Sequence, residues 1–124
     1  MNKIGGMKMN DNIYGIVPVE FKEDWDEKEK LKKFLEFNPN RYFKGKDLSR
    51  RCGFTNSATS VQLRKAITEL VCVDKVPIVS DSAGYMYATR KKAVEYYIDN
   101  LSDRVAGIQR RIYALIEIEE RMGE

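Results

Sequence analysis

Basic side chains are concentrated in one stretch of the chain, between residues 41 and 65. The stretch carries a formal charge of +6, although the net charge of the whole chain is only +3. Its basic residues are Arg41, Lys44, Lys46, Arg50, Arg51, Arg64 and Lys65, and its one acid is Asp47. Each cation that replaces a counterion on duplex DNA contributes affinity. The charge distribution therefore predicts contact with nucleic acid.

Residue types that serve catalysis or metal binding are scarce. The chain has no histidine, which excludes histidine triads, histidine general bases and histidine metal ligands. It has no glycine-rich phosphate-binding or dinucleotide-binding pattern and no nucleophile elbow. Cys52 and Cys72 are too few for a zinc site, and we interpret both as small core residues rather than as a disulfide. We expect no enzymatic activity, no metal and no cofactor.

The composition is typical of one small globular domain. The chain has 124 residues, of which 43% are hydrophobic and 33% charged, and its mean hydropathy is -0.52. It contains no run of about 18 apolar residues, and residues 1–12 lack the apolar segment of a secretory signal. We therefore expect a cytoplasmic protein that does not enter a membrane and for which no small-molecule substrate can be inferred.

Apolar spacing predicts a first helix over residues 21–37. Asp24 or Asp26 can cap it, and Pro39 disfavours helix at the residue before it. The inward stripe consists of Leu31, Phe34 and Leu35, to which Trp25 can be added.

Two more helices and a hairpin follow. The second helix ends at Gly53, which suits a left-handed closing residue, and the third covers residues 56–72 with Asn56 or Ser57 as its cap. The predicted inward face of the third helix consists of Val61, Leu63, Ile67, Leu70 and Val71. Residues 76–88 alternate in polarity around a turn, which predicts a β-hairpin. The predicted fold class is mainly α (α+β).

Residues 90–122 contain no proline and predict one long helix. Its apolar residues follow heptad steps of four and three: Val94, Ile98, Leu101, Val105, Ile108, Ile112 and Leu115. A small core cannot cover so long a stripe, so we expect a homodimer that pairs through Leu101, Val105, Ile108, Ile112 and Leu115. In one alternative, Val94 to Leu101 pack on their own domain and only the part from Val105 onward meets a second chain.

Residues 45–88 also resemble a known family. They combine a helix pattern LRKAITEL (63–70), a strand PIVSD (77–81) and the segment GYMYA (84–88), after a helix and a short turn. This order resembles the winged helix-turn-helix DNA-binding family, in particular the variety in phage and prophage proteins linked to replication or regulation. The resemblance implies a winged helix-turn-helix domain with a two-stranded wing over 21–90. Glycine, asparagine and aspartate residues interrupt any periodicity near the start of the chain, which predicts a flexible arm over 1–20. The heptad stripe predicts a dimerisation helix over 91–124.

The resemblance assigns roles in DNA binding. Residues that open the recognition helix would touch phosphates or base edges: Ser57, Thr59, Ser60, Gln62, Arg64 and Lys65. Arg50 and Arg51 would clamp the DNA backbone, with weaker contributions from Lys44 and Lys46. The wing tip, residues 80–82, has no basic residue, which puts wing contact in doubt, and the basic residues 90–92 can reach the backbone instead.

The function expected from these features is binding of double-stranded DNA by a dimer. Such a protein would act as a transcriptional regulator or as an accessory in phage or plasmid replication. The alternative is a winged-helix module that holds a partner protein through its C-terminal helix and binds no DNA, since the fold alone does not imply DNA binding. A third possibility is a purely structural oligomerisation unit.

Overall fold

The computed structural model of the protein describes residues 15–54 and 60–123. These residues form four helices and one hairpin, namely α1 (Glu27–Phe37), α2 (Gly45–Cys52), α3 (Val61–Cys72), β1 (Ile78–Asp81), β2 (Gly84–Tyr87) and α4 (Lys91–Met122). The chain divides between Thr89 and Arg90 into two compact units. The mainly helical architecture, with a two-stranded antiparallel sheet and a long C-terminal helix, confirms the predicted mainly α class.

The core of the first unit is built by α1, α2 and α3, each of which contributes fully buried leucines. Leu31 and Leu35 come from α1, Leu48 from α2, and Leu63 and Leu70 from α3. Burial of such a side chain contributes about 2 kcal/mol, so these five positions hold the three helices together. The hairpin covers the same core with Ile78 and partly buried tyrosines.

The first helix starts later than the sequence predicts. It begins at Glu27, because the Asp26 side chain accepts a hydrogen bond of 2.8 Å from the Glu29 amide and so caps the helix there. Of the two predicted cap residues, Asp24 and Asp26, Asp26 is therefore the one that caps the helix. Phe21 and Trp25 precede the helix and contact each other with ring centroids 6.2 Å apart, so Trp25 is not part of the helical stripe.

The segment before α1 is tied to the end of that helix. Ile16 is buried, and the Val17 amide donates to Asn38 Oδ1 over 2.6 Å. The buried Asn38 amide nitrogen in turn donates to the carbonyls of Val17 and Phe34. Ile16 and Val17 are therefore held within the first unit by these contacts. The flexible arm was predicted over residues 1–20, of which residues 1–14 lie outside the described residues.

The second and third helices agree with the prediction in part. Gly53 closes α2 in the left-handed conformation with φ of 83°, as predicted. α3 begins at Val61, and Ser60 before it has a φ of 57°, so a helical Ser60 was a wrong prediction. The predicted caps Asn56 and Ser57 lie outside the described residues.

The inward face of α3 needs one correction. Leu63, Ala66 and Leu70 are buried, at helical steps of three and four, whereas Val61 is 42% exposed. Val61 lies two residues before Leu63, which rotates it by about 200° around the helix axis. Ala66, which was not predicted to face inward, is part of the buried face instead.

The hairpin has the predicted antiparallel form. Ile78 pairs with Tyr87 and Asp81 with Gly84, which leaves two turn residues between the strands. Phe43 adds a further bridge, because its amide and carbonyl each make a 2.8 Å hydrogen bond to Tyr85. The segment between α1 and α2 is thereby joined to the hairpin.

The two cysteines have different environments. Cys52 is buried, and burial raises the pKa of its thiol to about 12. Cys72 is exposed at the end of α3, so its expected place in the core was wrong.

The last helix forms the second unit and has no buried residue. It contains 32 residues, which corresponds to a length of about 48 Å. Its heptad stripe is open from Ile98 onward, with exposed fractions between 39% at Leu101 and 61% at Val105. None of the helices in the described ranges has an apolar span long enough to cross a membrane.

Candidate nucleic-acid interface

The start of α2, the start of α3 and the second strand of the hairpin meet at Gly45. A Cβ atom on this glycine would lie 3.3 Å from Leu63 Cδ2, 3.5 Å from Ser60 Oγ and 3.5 Å from Tyr85 Cε2. Only a residue without a large side chain leaves room for this approach. Glycine at the first position of α2 therefore permits the close packing of these three elements.

Two lysines flank this meeting point. The Lys44 Nζ donates a 3.2 Å hydrogen bond to the Ser82 carbonyl in the hairpin turn. Lys46 is exposed in the first turn of α2. The predicted pair thus lies beside the start of α3 and the tip of the hairpin.

The first two turns of α3 present polar and basic groups. Gln62, Arg64 and Lys65 are exposed, while Leu63 between them is buried in the core. Ser60 is half-buried directly before the helix. Ser57 and Thr59 lie outside the described residues. We define the basic face as Lys44, Lys46, Gln62, Arg64 and Lys65.

Arg50 and Arg51 belong to a different group of contacts. The Arg50 Nη2 lies 2.7 Å from Asp47 Oδ1, and the Arg51 Nε lies 2.9 Å from Asp47 Oδ2. Arg51 is also half-buried, with its guanidinium 5.0 Å from the centre of the Phe34 ring. Both arginines pair with Asp47 within the first unit, although Arg50 remains 73% exposed. The basic face as defined above does not include them, and their predicted contact with the DNA backbone stays a prediction.

The hairpin tip does not add positive charge to the basic face. Asp81 is exposed there, and its Oδ1 accepts a 2.6 Å hydrogen bond from the Ala83 amide. Asp81 therefore serves the turn itself. Arg90 caps α4 without a side-chain hydrogen bond, and the basic residues 90–92 lie at the start of the second unit.

The second half of α3 carries an acid that is paired inside the protein. Glu69 Oε1 lies 2.8 Å from Lys28 Nζ of α1, and Asp74 Oδ2 lies 3.6 Å from the same nitrogen. The hydrogen bond to Glu69 raises the pKa of Lys28 above its usual value. Glu69, the one acid on α3, is therefore paired with Lys28 in an exposed network near the basic face.

The same helix surface has an apolar part that was not predicted from the sequence. Val61 is 42% exposed and Val73 is 68% exposed, and with Thr68 and Cys72 they line a shallow groove along α3. The signal was available, because the buried steps from Leu63 to Leu70 leave Val61 on the outer side.

The described ranges contain no group of histidine, cysteine, aspartate or glutamate side chains that could hold a metal ion. Comparisons with protein-family models, with curated proteins and with solved structures found no match for this chain.

Proposed function

We propose that the protein is a winged helix-turn-helix that binds double-stranded DNA with α3 in the major groove. The observation that carries this proposal is the convergence of the basic face. Lys44 and Lys46 at the start of α2 flank Gly45, which packs on the residues that begin α3. A compact group of cations beside an exposed helix face is the electrostatic footprint of a DNA-binding protein.

The polar start of α3 fits base recognition. Gln62 can make two hydrogen bonds to adenine, and Arg64 can make two to guanine, since these side chains match the edges of those bases in the major groove. Lys65 then contacts a phosphate or a guanine. The buried Leu63 and Ala66 fix the rotation of the helix, so that Arg64 and Lys65 lie on its outward side. Gln62 lies on the flank of the helix, because two residues separate it from Arg64 by a rotation of about 200°.

The backbone contacts are assigned to the two lysines of α2. Lys44 is held against the hairpin turn by its hydrogen bond to Ser82, and Lys46 is exposed in the first turn of α2. The hairpin corresponds to the wing in this proposal. Its exposed Asp81 disfavours insertion of the wing into the minor groove, because the DNA repels negative charge there.

We propose further that two copies bind together through the exposed stripe of α4. A dimer joins two recognition helices and sets the spacing between two half-sites on the DNA. The process served would be regulation of transcription or assistance in phage or plasmid replication.

The test is fluorescence anisotropy of a labelled duplex of mixed sequence, titrated with the full chain at about 50 mM and about 200 mM salt. We expect affinity to fall steeply with salt. The variant Lys46→Gln/Lys65→Gln should bind roughly tenfold or more weakly and should lower the salt slope by about 2, or about 1 for each lost phosphate contact.

The matched control is Lys22→Gln/Lys33→Gln, which removes the same charge before and within α1. It should change affinity less than about twofold, because neither lysine belongs to the basic face. Equal losses in both variants would contradict a specific face and leave only a general attraction of charge.

A protein-binding module that does not contact DNA is the second candidate. The exposed stripe of α4 and the exposed Val61 and Val73 on α3 favour it. A folded protein that shows no anisotropy change at low salt would overturn the DNA proposal and support this one.

A further inference from the structure

The exposed stripe of α4 has the residue types of a two-stranded coiled coil. Ile98, Val105 and Ile112 occupy heptad position a, and Leu101 and Leu115 occupy position d. β-Branched residues at a with leucine at d favour two strands. Ile108 is the β-branched exception at d. All six side chains are exposed in the single chain, so the whole seam is open to a partner.

The residues beside the seam distinguish the two orientations of a pair. Arg104 and Arg111 occupy position g, and Gln109 and Ile116 occupy position e. In a parallel pair, position g of one helix lies beside position e of the next heptad in the other. Arg104 then meets Gln109 of the second copy and Arg111 meets Ile116, so no like charges come together.

The antiparallel pair brings like charges together. The antiparallel register that covers all six seam residues sets Val105 opposite Ile108 of the second copy. Position g then faces position g, and Arg104 of each copy lies beside Arg111 of the other, in two contacts along the same flank of the pair. Four arginines in two close contacts disfavour this orientation, because like charges at flanking positions select against a pairing.

We infer that the occupant of the α4 seam is a second copy of the same helix, parallel and in register. This inference rests on the dimer of the proposed function and specifies its geometry. Because α4 follows the first unit directly in the chain, both copies of that unit are attached to the same end of the paired helices.

Glu119 gives this seam a defined end. It occupies the a position after Leu115, where a parallel partner places its own Glu119 directly opposite. Two facing carboxylates weaken the pairing of the last heptad. The close packing therefore covers the stretch from Ile98 to Leu115.

The test is disulfide formation by the full chain in a glutathione redox buffer, where the cross-linked fraction reflects equilibrium proximity. Cys72→Ser removes the exposed thiol, and Leu115→Cys then places one thiol at the last d position of the close-packed stretch. The matched control is Tyr113→Cys, which lies at position b on the outside of the same turn. Light scattering gives the mass of each variant.

We expect a dimer in which Leu115→Cys cross-links at least tenfold more than Tyr113→Cys. In the antiparallel register, the two thiols at position 115 would be roughly 25 Å apart along the axis. A dimer without preferential cross-linking at 115 would overturn the parallel pairing and leave the dimer and its DNA binding standing. A monomer or a trimer would overturn the pairing as well, and the anisotropy titration would still decide DNA binding separately.

Discussion

Gly84 lies where the backbone leaves no room for a side chain. Its φ is 128°, and an added Cβ would overlap the carbonyl oxygen of Phe43 and lie 2.5 Å from its carbonyl carbon. We expect Gly84→Ala to lower the free energy of unfolding by about 3 kcal/mol, because it adds strain and breaks the bridge between Phe43 and Tyr85. Urea denaturation followed by circular dichroism measures this loss.

The same substitution at Gly107 is the control. No atom lies within 4 Å of an added Cβ there, and the residue is in the middle of α4. Gly107→Ala should therefore raise helix stability by up to about 1 kcal/mol. Similar losses at both positions would contradict the steric explanation at Gly84.

The two thiols should react very differently. Cys72 is exposed, whereas Cys52 is buried and the pKa of its thiol is raised to about 12. Since the thiolate is the nucleophile, we expect one thiol per native chain to react with a disulfide reagent at pH 8, and two in urea. Fast reaction of both in the native state would contradict the burial of Cys52.

The raised pKa of Cys52 also fixes the sign of a pH effect. The thiol ionises near pH 9 in the unfolded chain but near pH 12 in the folded one, so its contribution to stability is complete below pH 9 and falls as the pH rises toward 12. Cys52→Ala should remove this part of the alkaline loss. Denaturation curves of both proteins at several alkaline pH values measure it.

At the scale of the elements, the N-terminus of α1 depends on one carboxylate. Asp26 accepts the hydrogen bond from the Glu29 amide. We expect Asp26→Ala to cost about 1 kcal/mol of stability, measured by thermal denaturation. Asp24→Ala is the control, because Asp24 lies two residues before the cap Asp26 and its loss should cost less than about 0.5 kcal/mol. The reverse order of losses would show that the helix starts earlier.

The sequence predicted well those elements whose residue pattern is compatible with only one structure. A two-residue turn between alternating strands fixes the hairpin register, and an unbroken heptad stripe fixes α4. The start of α1 was not fixed, because Asp24 and Asp26 are chemically equal as caps. The packed segment from Ile16 was not predicted either, since its tie to Asn38 joins residues 21 positions apart.

The candidate site was predictable to a similar degree. The identity of the cations was clear from composition, but their grouping depends on the packing at Gly45, which brings three elements together. The pairing of Arg50 and Arg51 with Asp47 did carry a local signal. Their spacings of three and four residues place them on one helix face, where such ion pairs form.

At the scale of the whole molecule, dimerisation and DNA binding should be coupled. Ile108→Asp places a charge in the middle of the seam and should give a monomer by light scattering. Its affinity for a two-site duplex should fall roughly tenfold or more, since the second contact is no longer intramolecular. Ala106→Asp, at outward position b, is the control and should keep both properties. Undiminished affinity in a monomeric Ile108→Asp would separate the two functions.

The bridge between Phe43 and Tyr85 has a consequence for how the protein opens. The hairpin cannot leave the core without releasing the backbone that directly precedes Lys44, because the two 2.8 Å hydrogen bonds belong to both. Amide hydrogens of Phe43 and Tyr85 should therefore exchange with solvent at one common rate, as parts of a single cooperative unit. Lys44 therefore keeps its place in the basic face only while the hairpin stays on the core.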